Sequence, residues 1–167
     1  MRILFRIALR LVRRRAGVDL QPAALLTWSP RAAIGAAALE ALAARPVGRI
    51  DARLLKLVRL TVSFTVTCPF CIGLNAAGWE SLLSADELAV TQGLRENGDV
   101  PSLTARERVA IEFARAVSLT PPTLTAAAGR RLRESFSERE IVVLAATCAQ
   151  VNYWARLVQG LGYDLAG

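Results

Sequence analysis

The 167-residue sequence contains no histidine, only three cysteines, and no apolar run as long as a membrane-spanning helix. Histidine is the side chain that most readily exchanges protons near neutral pH, so any mechanism for this chain needs another proton carrier. A spanning helix needs about 20 apolar residues, so the sequence predicts no segment of that kind. Hairpin signals are also few, and the abundance of alanine and leucine favours helices.

Acidic residues are absent from the first 15 residues, which hold six arginines and carry a charge of +6. The arginines recur every three or four residues opposite an apolar face, so residues 1–18 are predicted to form a basic amphipathic helix. That helix could lie on an anionic membrane or pack against the folded body, and both interpretations stay open. Residues 16–167 carry only +1 and lack a basic stripe with aromatics, so we expect no nucleic-acid partner. We expect a cytoplasmic protein, free or peripheral at the membrane.

Helical patterns run through the rest of the chain, and residues 19–167 are predicted to form a single domain. Hydroxyl residues precede glutamate by three positions at Ser84, Thr104 and Ser137, which predicts three capping boxes. Residues 62–66 are mostly β-branched, yet no hairpin partner lies nearby, so a helix is favoured there. A last helix is predicted from about Glu138 to Gln159, and the fold class is an all-α bundle of about seven or eight helices.

Two of the three cysteines, Cys68 and Cys71, form a C-x-x-C pair that suits a redox dithiol, half of a metal site or a structural pair. A structural zinc normally takes four Cys or His ligands, and this chain offers three cysteines and no histidine. We therefore predict no metal. Pro69 suits the first turn of a helix, which places Cys68 near the N-cap, where backbone N–H groups stabilise a thiolate. Cys148 is predicted to be a buried core thiol.

Residues 53–80 and 152–162 resemble the carboxymuconolactone decarboxylase family, and more closely its alkylhydroperoxidase D-like branch. The resemblance implies an all-α fold that assembles into dimers, trimers or hexamers. It also implies that Cys71 attacks a peroxide and that Cys68 resolves the product. The helix-start argument instead favours Cys68 as the more acidic thiol, so the order of attack stays open.

The chain departs from the family pattern at two positions. Lys56 stands where the resemblance places a glutamate, and Asn75 stands where it places a histidine; in the family these side chains relay protons to the second cysteine. Asparagine does not titrate, and a protonated lysine is a poor base. Glu80, predicted to lie on the same helix as Asn75, could replace the lost acid or could be a solvated surface residue.

The functional expectation is a thiol-dependent oxidoreductase that reduces hydroperoxides or exchanges with disulfides through Cys68 and Cys71. The alternative is a degenerate member of the family, a redox sensor or oligomeric binding module. We expect no flavin, haem or nicotinamide, since no signature for one is present. Electrons would then come from an external thiol or a dithiol reductant protein. The apolar content of 53% also suggests an exposed apolar face that a second copy would cover.

Overall fold

The computed structural model describes residues 26–42 and 45–162. For Thr27 and Leu42 it describes the backbone alone. The basic helix predicted over residues 1–18 lies outside this part of the chain. The described residues form seven α-helices: α1 Pro30–Leu42, α2 Ala52–Thr65, α3 Pro69–Ala76, α4 Ala85–Gln92, α5 Ala105–Ser118, α6 Ala126–Ser135 and α7 Glu138–Gly160. They contain no strand, and the all-α prediction is confirmed.

Helix starts follow the local sequence closely. Ser84, Thr104 and Ser137 each form a complete capping box with the glutamate three residues later, as predicted, at the starts of α4, α5 and α7. The Asp51 side chain accepts a hydrogen bond from the Leu54 N–H at the start of α2. These contacts satisfy N–H groups that the first helical turn leaves without partners.

Helix α2 is the centre of the molecule and packs against α3, α4, α5 and α7. Its side chains at Leu57, Val58, Leu60 and Val62 are fully buried on several sides of the helix, which explains its unusually continuous apolar sequence. The β-branched stretch from residue 62 is helical through Thr65, although Phe64 and Thr65 are only half-buried. Packing of the helix in the bundle outweighs the moderate strand preference of these residues.

Helix α7 is the one described helix long and apolar enough to cross a membrane by length and composition. This is weak evidence, because a core helix of a globular protein passes the same test. Leu144, Val151, Ala155 and Val158 lie in the core, where α7 packs against α2 and α5. The apolar character of α7 is therefore explained in large part by packing inside the bundle.

Candidate functional site

The cysteine pair sits at the start of α3, in the geometry that the proline predicted. Pro69 opens the helix, and Cys68 is its N-cap residue, with its Sγ accepting a hydrogen bond from the Cys71 N–H at 3.3 Å. The two Sγ atoms lie 2.7 Å apart and are joined by a thiol–thiol hydrogen bond. Both cysteines are free thiols, so the pair is in its reduced form and close enough to form a disulfide.

The chain enters this helix through a constrained turn. Thr67 adopts a left-handed backbone conformation with φ of 48°, which a β-branched residue rarely adopts and which costs roughly 1–3 kcal/mol. The Cys68 N–H then donates to the Ser63 carbonyl of α2 at 3.3 Å. The turn separates α2 from α3, which pack against each other, and places Cys68 at the N-cap of α3.

The two thiols have different acidities. The hydrogen bond with Cys71 lowers the pKa of Cys68 to about 7, although burial opposes this, and the backbone N–H groups of Cys71 and Phe70 lower it further. The same hydrogen bond, together with burial, raises the pKa of Cys71. When the pair loses its first proton, the negative charge therefore belongs to Cys68 and the remaining proton to Cys71.

A cavity of about 420 Å³ opens beside Cys71, between α1, α2, α3 and α7. Cys71 is among its lining residues, whereas Cys68 is fully buried and does not line it. The apolar lining comprises Leu55, Phe70, Leu74, Val151 and Trp154. Cavities of this size accommodate small organic ligands. Cys71 is itself 2% exposed, but its place in the lining means that a molecule in the cavity would approach Cys71 before Cys68.

Lys56 and Asn75 line the same cavity, yet both are held in structural hydrogen bonds. The Lys56 Nζ donates to the carbonyls of Asn75 and Ala77, each at 2.9 Å, and so caps the C-terminal end of α3. Burial, and then the charge of Arg59, lower the pKa of Lys56. The Asn75 Nδ2 donates to the Ser63 Oγ at 3.0 Å. These two positions support the α3 helix.

Glu80 lies outside the cavity, although its charge acts on Lys56 and opposes the lowering of the Lys56 pKa. Helix α3 ends at Ala76, and Gly78 follows in a left-handed conformation with φ of 66°, so Glu80 falls in a separate 3₁₀ turn, Trp79–Ser81. The prediction that Glu80 shares a helix with Asn75 is wrong, because the glycine turns the chain. Glu80 is exposed and does not line the cavity.

Besides Lys56 and Asn75, two further polar residues line the cavity, Glu40 and Gln150. The sequence analysis did not identify them. Glu40, from α1, accepts hydrogen bonds from Gln150 Nε2 at 2.5 Å and from Trp154 Nε1 at 3.1 Å. Gln150 is buried, and its Oε1 accepts from Arg59 Nη2 at 3.0 Å. The signal available in the sequence was a glutamine inside an apolar helix, four residues before a tryptophan, so that both share one face.

The third cysteine, Cys148, is buried in the core at 2% exposure, and burial raises its pKa to about 12. The prediction of a buried core thiol is confirmed. Within residues 26–42 and 45–162, no group of three or more Cys, Asp or Glu side chains could hold a metal ion.

No protein-family model matches the chain. An uncharacterized protein of Escherichia coli K12, YnjA, is 30% identical over 119 residues, which are 71% of this chain and 64% of that protein. The chain therefore aligns with less than two thirds of that relative.

Solved structures of similar proteins include ATU0492, a protein of unknown function from Agrobacterium tumefaciens suggested to be the antioxidant defence protein AhpD. It superposes with a TM-score of 0.70 at 25% identity, over 84% of this chain and 94% of its own. The debrominase Bmp8 superposes with a TM-score of 0.75 at 16% identity, over 93% of this chain and 82% of its own. A cysteine-to-alanine variant of Bmp8 in complex with 2,3,4-tribromopyrrole gives a TM-score of 0.74.

These similarities establish that the chain has the alkylhydroperoxidase D-like helical fold. The fold prediction is confirmed to that level. The debrominase and the suggested antioxidant protein share this fold, so the fold by itself does not select a reaction.

Proposed function

We propose that this protein is a thiol-dependent oxidoreductase of the alkylhydroperoxidase D-like branch, which reduces an organic hydroperoxide through Cys71 and Cys68. The single observation that carries the proposal is a reduced C-x-x-C pair, with sulfurs 2.7 Å apart, whose second cysteine lines a cavity. The suggested antioxidant role of the A. tumefaciens protein supports the same chemistry.

The Cys68 thiolate supplies the base that the missing histidine would have supplied. It accepts the proton of Cys71 across the hydrogen bond that already joins the two sulfurs. The Cys71 thiolate attacks the terminal oxygen of the hydroperoxide, so an S–O bond forms, the O–O bond breaks, and the alkoxide takes a proton from water. The products of this step are an alcohol and the sulfenic acid of Cys71.

The second step closes the disulfide. The Cys68 sulfur attacks the Cys71 sulfur, an S–S bond forms, the S–O bond breaks, and the leaving hydroxide departs with the Cys68 proton as water. The peroxide has then gained two electrons, and the dithiol has lost two. An external dithiol returns them by thiol–disulfide exchange. The position of the cavity supports these roles, because Cys71 lines it and Cys68 does not. The lower pKa of Cys68 by itself favours the opposite order of attack.

A rapid-mixing experiment tests this function. The fully reduced protein is mixed with cumene hydroperoxide, and Cys68→Ser and Cys71→Ser are measured beside it. We expect fast peroxide loss in the unaltered protein, none in Cys71→Ser, and a trappable sulfenic acid in Cys68→Ser. Cys148→Ser is the matched control and should react like the unaltered protein. Peroxide loss no faster than with free cysteine would contradict the proposal.

The alternative function is that of a redox sensor or oligomeric binding module. It is favoured by one observation: Lys56 and Asn75, at the two relay positions, make helix-supporting hydrogen bonds. A sensor would still form the Cys68–Cys71 disulfide, but slowly and without turnover by a dithiol. Turnover with dithiothreitol as the reductant therefore separates the enzyme from the sensor.

The partners stay predictions: a dithiol reductant protein, and a second copy of the chain in a dimer, trimer or hexamer. Exposed apolar side chains at Ile34 and Val142, 62% and 66% exposed, are consistent with a covered face in an assembly. Sedimentation velocity of the full chain measures the subunit number, and a monomer at all concentrations would contradict the assembly.

A further inference from the structure

Arg59 stands out among the residues that line the cavity, because its guanidinium is only partly satisfied. Within the described part of the chain, its side chain makes one hydrogen bond, from Nη2 to Gln150 Oε1 at 3.0 Å. Its Nε is buried with no hydrogen-bond partner. A charged donor without a partner is destabilising, so the guanidinium as a whole favours a bound accepting group. Because Nε is closed to solvent, a ligand in the cavity would accept from the Nη groups.

The position of this guanidinium is fixed by its neighbours. Gln150 holds Nη2, and Gln150 is itself held by the carboxylate of Glu40. Lys56 lies three residues before Arg59 on the same face of α2, and the two positive charges are close enough for Arg59 to lower the pKa of Lys56. The carboxylate of Glu40 is engaged by Gln150 and Trp154. These bonds leave the charge of Glu40 in place, so the lining holds two positive side chains, Lys56 and Arg59, and one negative side chain, Glu40. The net charge of the lining is therefore positive, and its positive groups lie on α2.

The opposite parts of the cavity are apolar. Phe70 and Leu74 of α3 and Val151 of α7 line it, and Cys71 lies among them. A ligand that fills the cavity would thus contact apolar side chains along its body and a guanidinium at one side. Guanidinium groups bind carboxylates with charge-assisted and often bidentate hydrogen bonds.

We propose that the substrate of this cavity is an organic molecule with a carboxylate that binds Arg59, an apolar body against Phe70 and Leu74, and its reactive group at the Cys71 sulfur. This inference rests on the proposed function for the reactive group, a hydroperoxide, and goes beyond it in naming the recognition group. Hydrogen peroxide and uncharged hydroperoxides would react without this contact.

A pair of matched probes tests the proposal: cumene hydroperoxide and its para-carboxylate derivative. The ratio of their kcat/KM values is measured for the unaltered protein, Arg59→Met and Arg59→Lys. We expect the carboxylate to be preferred by about tenfold, the size of one charge-assisted hydrogen bond. Arg59→Met should lose the preference, so that the ratio of the two kcat/KM values falls to about one at whatever rate remains with cumene hydroperoxide. Arg59→Lys should retain part of the preference.

Arg108→Met is the matched control. The Nε of Arg108 is also buried without a partner, its Nη2 donates to the Val100 carbonyl, and Arg108 does not line this cavity. The control should keep the full preference for the carboxylate. Equal kcat/KM for the two probes in the unaltered protein, or the same preference in Arg59→Met, would overturn the inference.

A binding experiment separates this inference from the proposed reaction. The unreactive alcohol 4-(2-hydroxypropan-2-yl)benzoate is titrated by calorimetry into Cys71→Ser and into Cys71→Ser with Arg59→Met. Binding that weakens about tenfold with Arg59→Met supports carboxylate recognition even if no peroxide is turned over. Binding that is absent or indifferent to Arg59 overturns it, even if both hydroperoxides are reduced.

Discussion

The acidity of Cys68 depends mainly on one hydrogen bond, and removing that bond should be measurable. In the structure the bond with Cys71 is the largest cause of a pKa lowered from 9.0 to about 7. A shift of this size corresponds to roughly 3 kcal/mol in favour of the thiolate. At pH 8 about nine tenths of a thiol with a pKa of 7 is ionised, against about one tenth of a thiol with a pKa of 9. The Cys71→Ala variant removes the sulfur and keeps the backbone N–H groups of Cys71 and Phe70.

The assay is a pH titration of the ultraviolet absorbance of the thiolate in the fully reduced protein. We expect a transition near pH 7 in the unaltered protein. In Cys71→Ala the pKa of Cys68 should be higher by about one unit or more, because only the backbone N–H groups then lower it and burial still raises it. Cys148→Ala is the control and should leave the transition in place, because the pKa of Cys148 is about 12. A transition near 7 that survives Cys71→Ala would disprove the dominant role of the sulfur–sulfur bond and assign the acidity to the helix start alone.

Stability and the missing relay give three further tests. Arg53→Met removes the cation that binds Glu87 at 2.6 Å, and should lower the free energy of unfolding by about 3 kcal/mol in urea denaturation. The pKa values of Glu87 and Glu140 are held at about 2, the first mainly by Arg53 and the second mainly by the N–H at the start of α7. Both folded values lie below the unfolded value, so this stabilisation is present above about pH 4.5 and lost as the pH falls toward 2, on the order of 2 kcal/mol each. Asn75→His should add a proton carrier beside the cavity and raise peroxide reduction about tenfold, with a new ionisation near pH 6–7 in the rate profile.

Each of these predictions has a matched comparison. Arg131→Met breaks an exposed pair with Glu112 and should cost less than about 0.5 kcal/mol, so an equal loss in Arg53→Met would contradict the buried-pair argument. Glu87→Gln should flatten the acid part of the stability curve, and an unchanged curve would assign the acid sensitivity to other groups. The glutamine of Asn75→Gln does not titrate. If Asn75→Gln and Asn75→His both raise the rate, the proton-carrier explanation is contradicted.

The sequence was most informative where local rules and packing agree. Hydroxyl and glutamate spacing predicted all three capping boxes, and Pro69 placed Cys68 at a helix start, because these contacts form between residues three positions apart. The helical state of residues 62–65 was also predictable, since no neighbouring segment offered strand pairing. The same local reasoning failed at Glu80, because the helix ends at Ala76 and Gly78 then turns the chain in a left-handed conformation.

The cavity could not be predicted from local patterns. It joins Glu40 to Gln150 across 110 residues and Arg59 to Gln150 across 91, and such contacts depend on how α1, α2 and α7 pack. The resemblance identified Lys56 and Asn75 as relay positions but could not reveal that Lys56 caps α3 through two carbonyls. Most of the site features that the sequence did not predict therefore depend on contacts that form only in the tertiary structure.

Whether Cys68 and Cys71 act together as a redox dithiol is decided by the mass of the protein after one equivalent of cumene hydroperoxide. The reduced full chain is mixed with the peroxide, quenched with an alkylating agent, digested and analysed by mass spectrometry. We expect the loss of two hydrogens in a peptide that links Cys68 to Cys71, with Cys148 alkylated once the protein is unfolded. Unmodified Cys68 and Cys71 after the peroxide has been present for many minutes would contradict the redox pair.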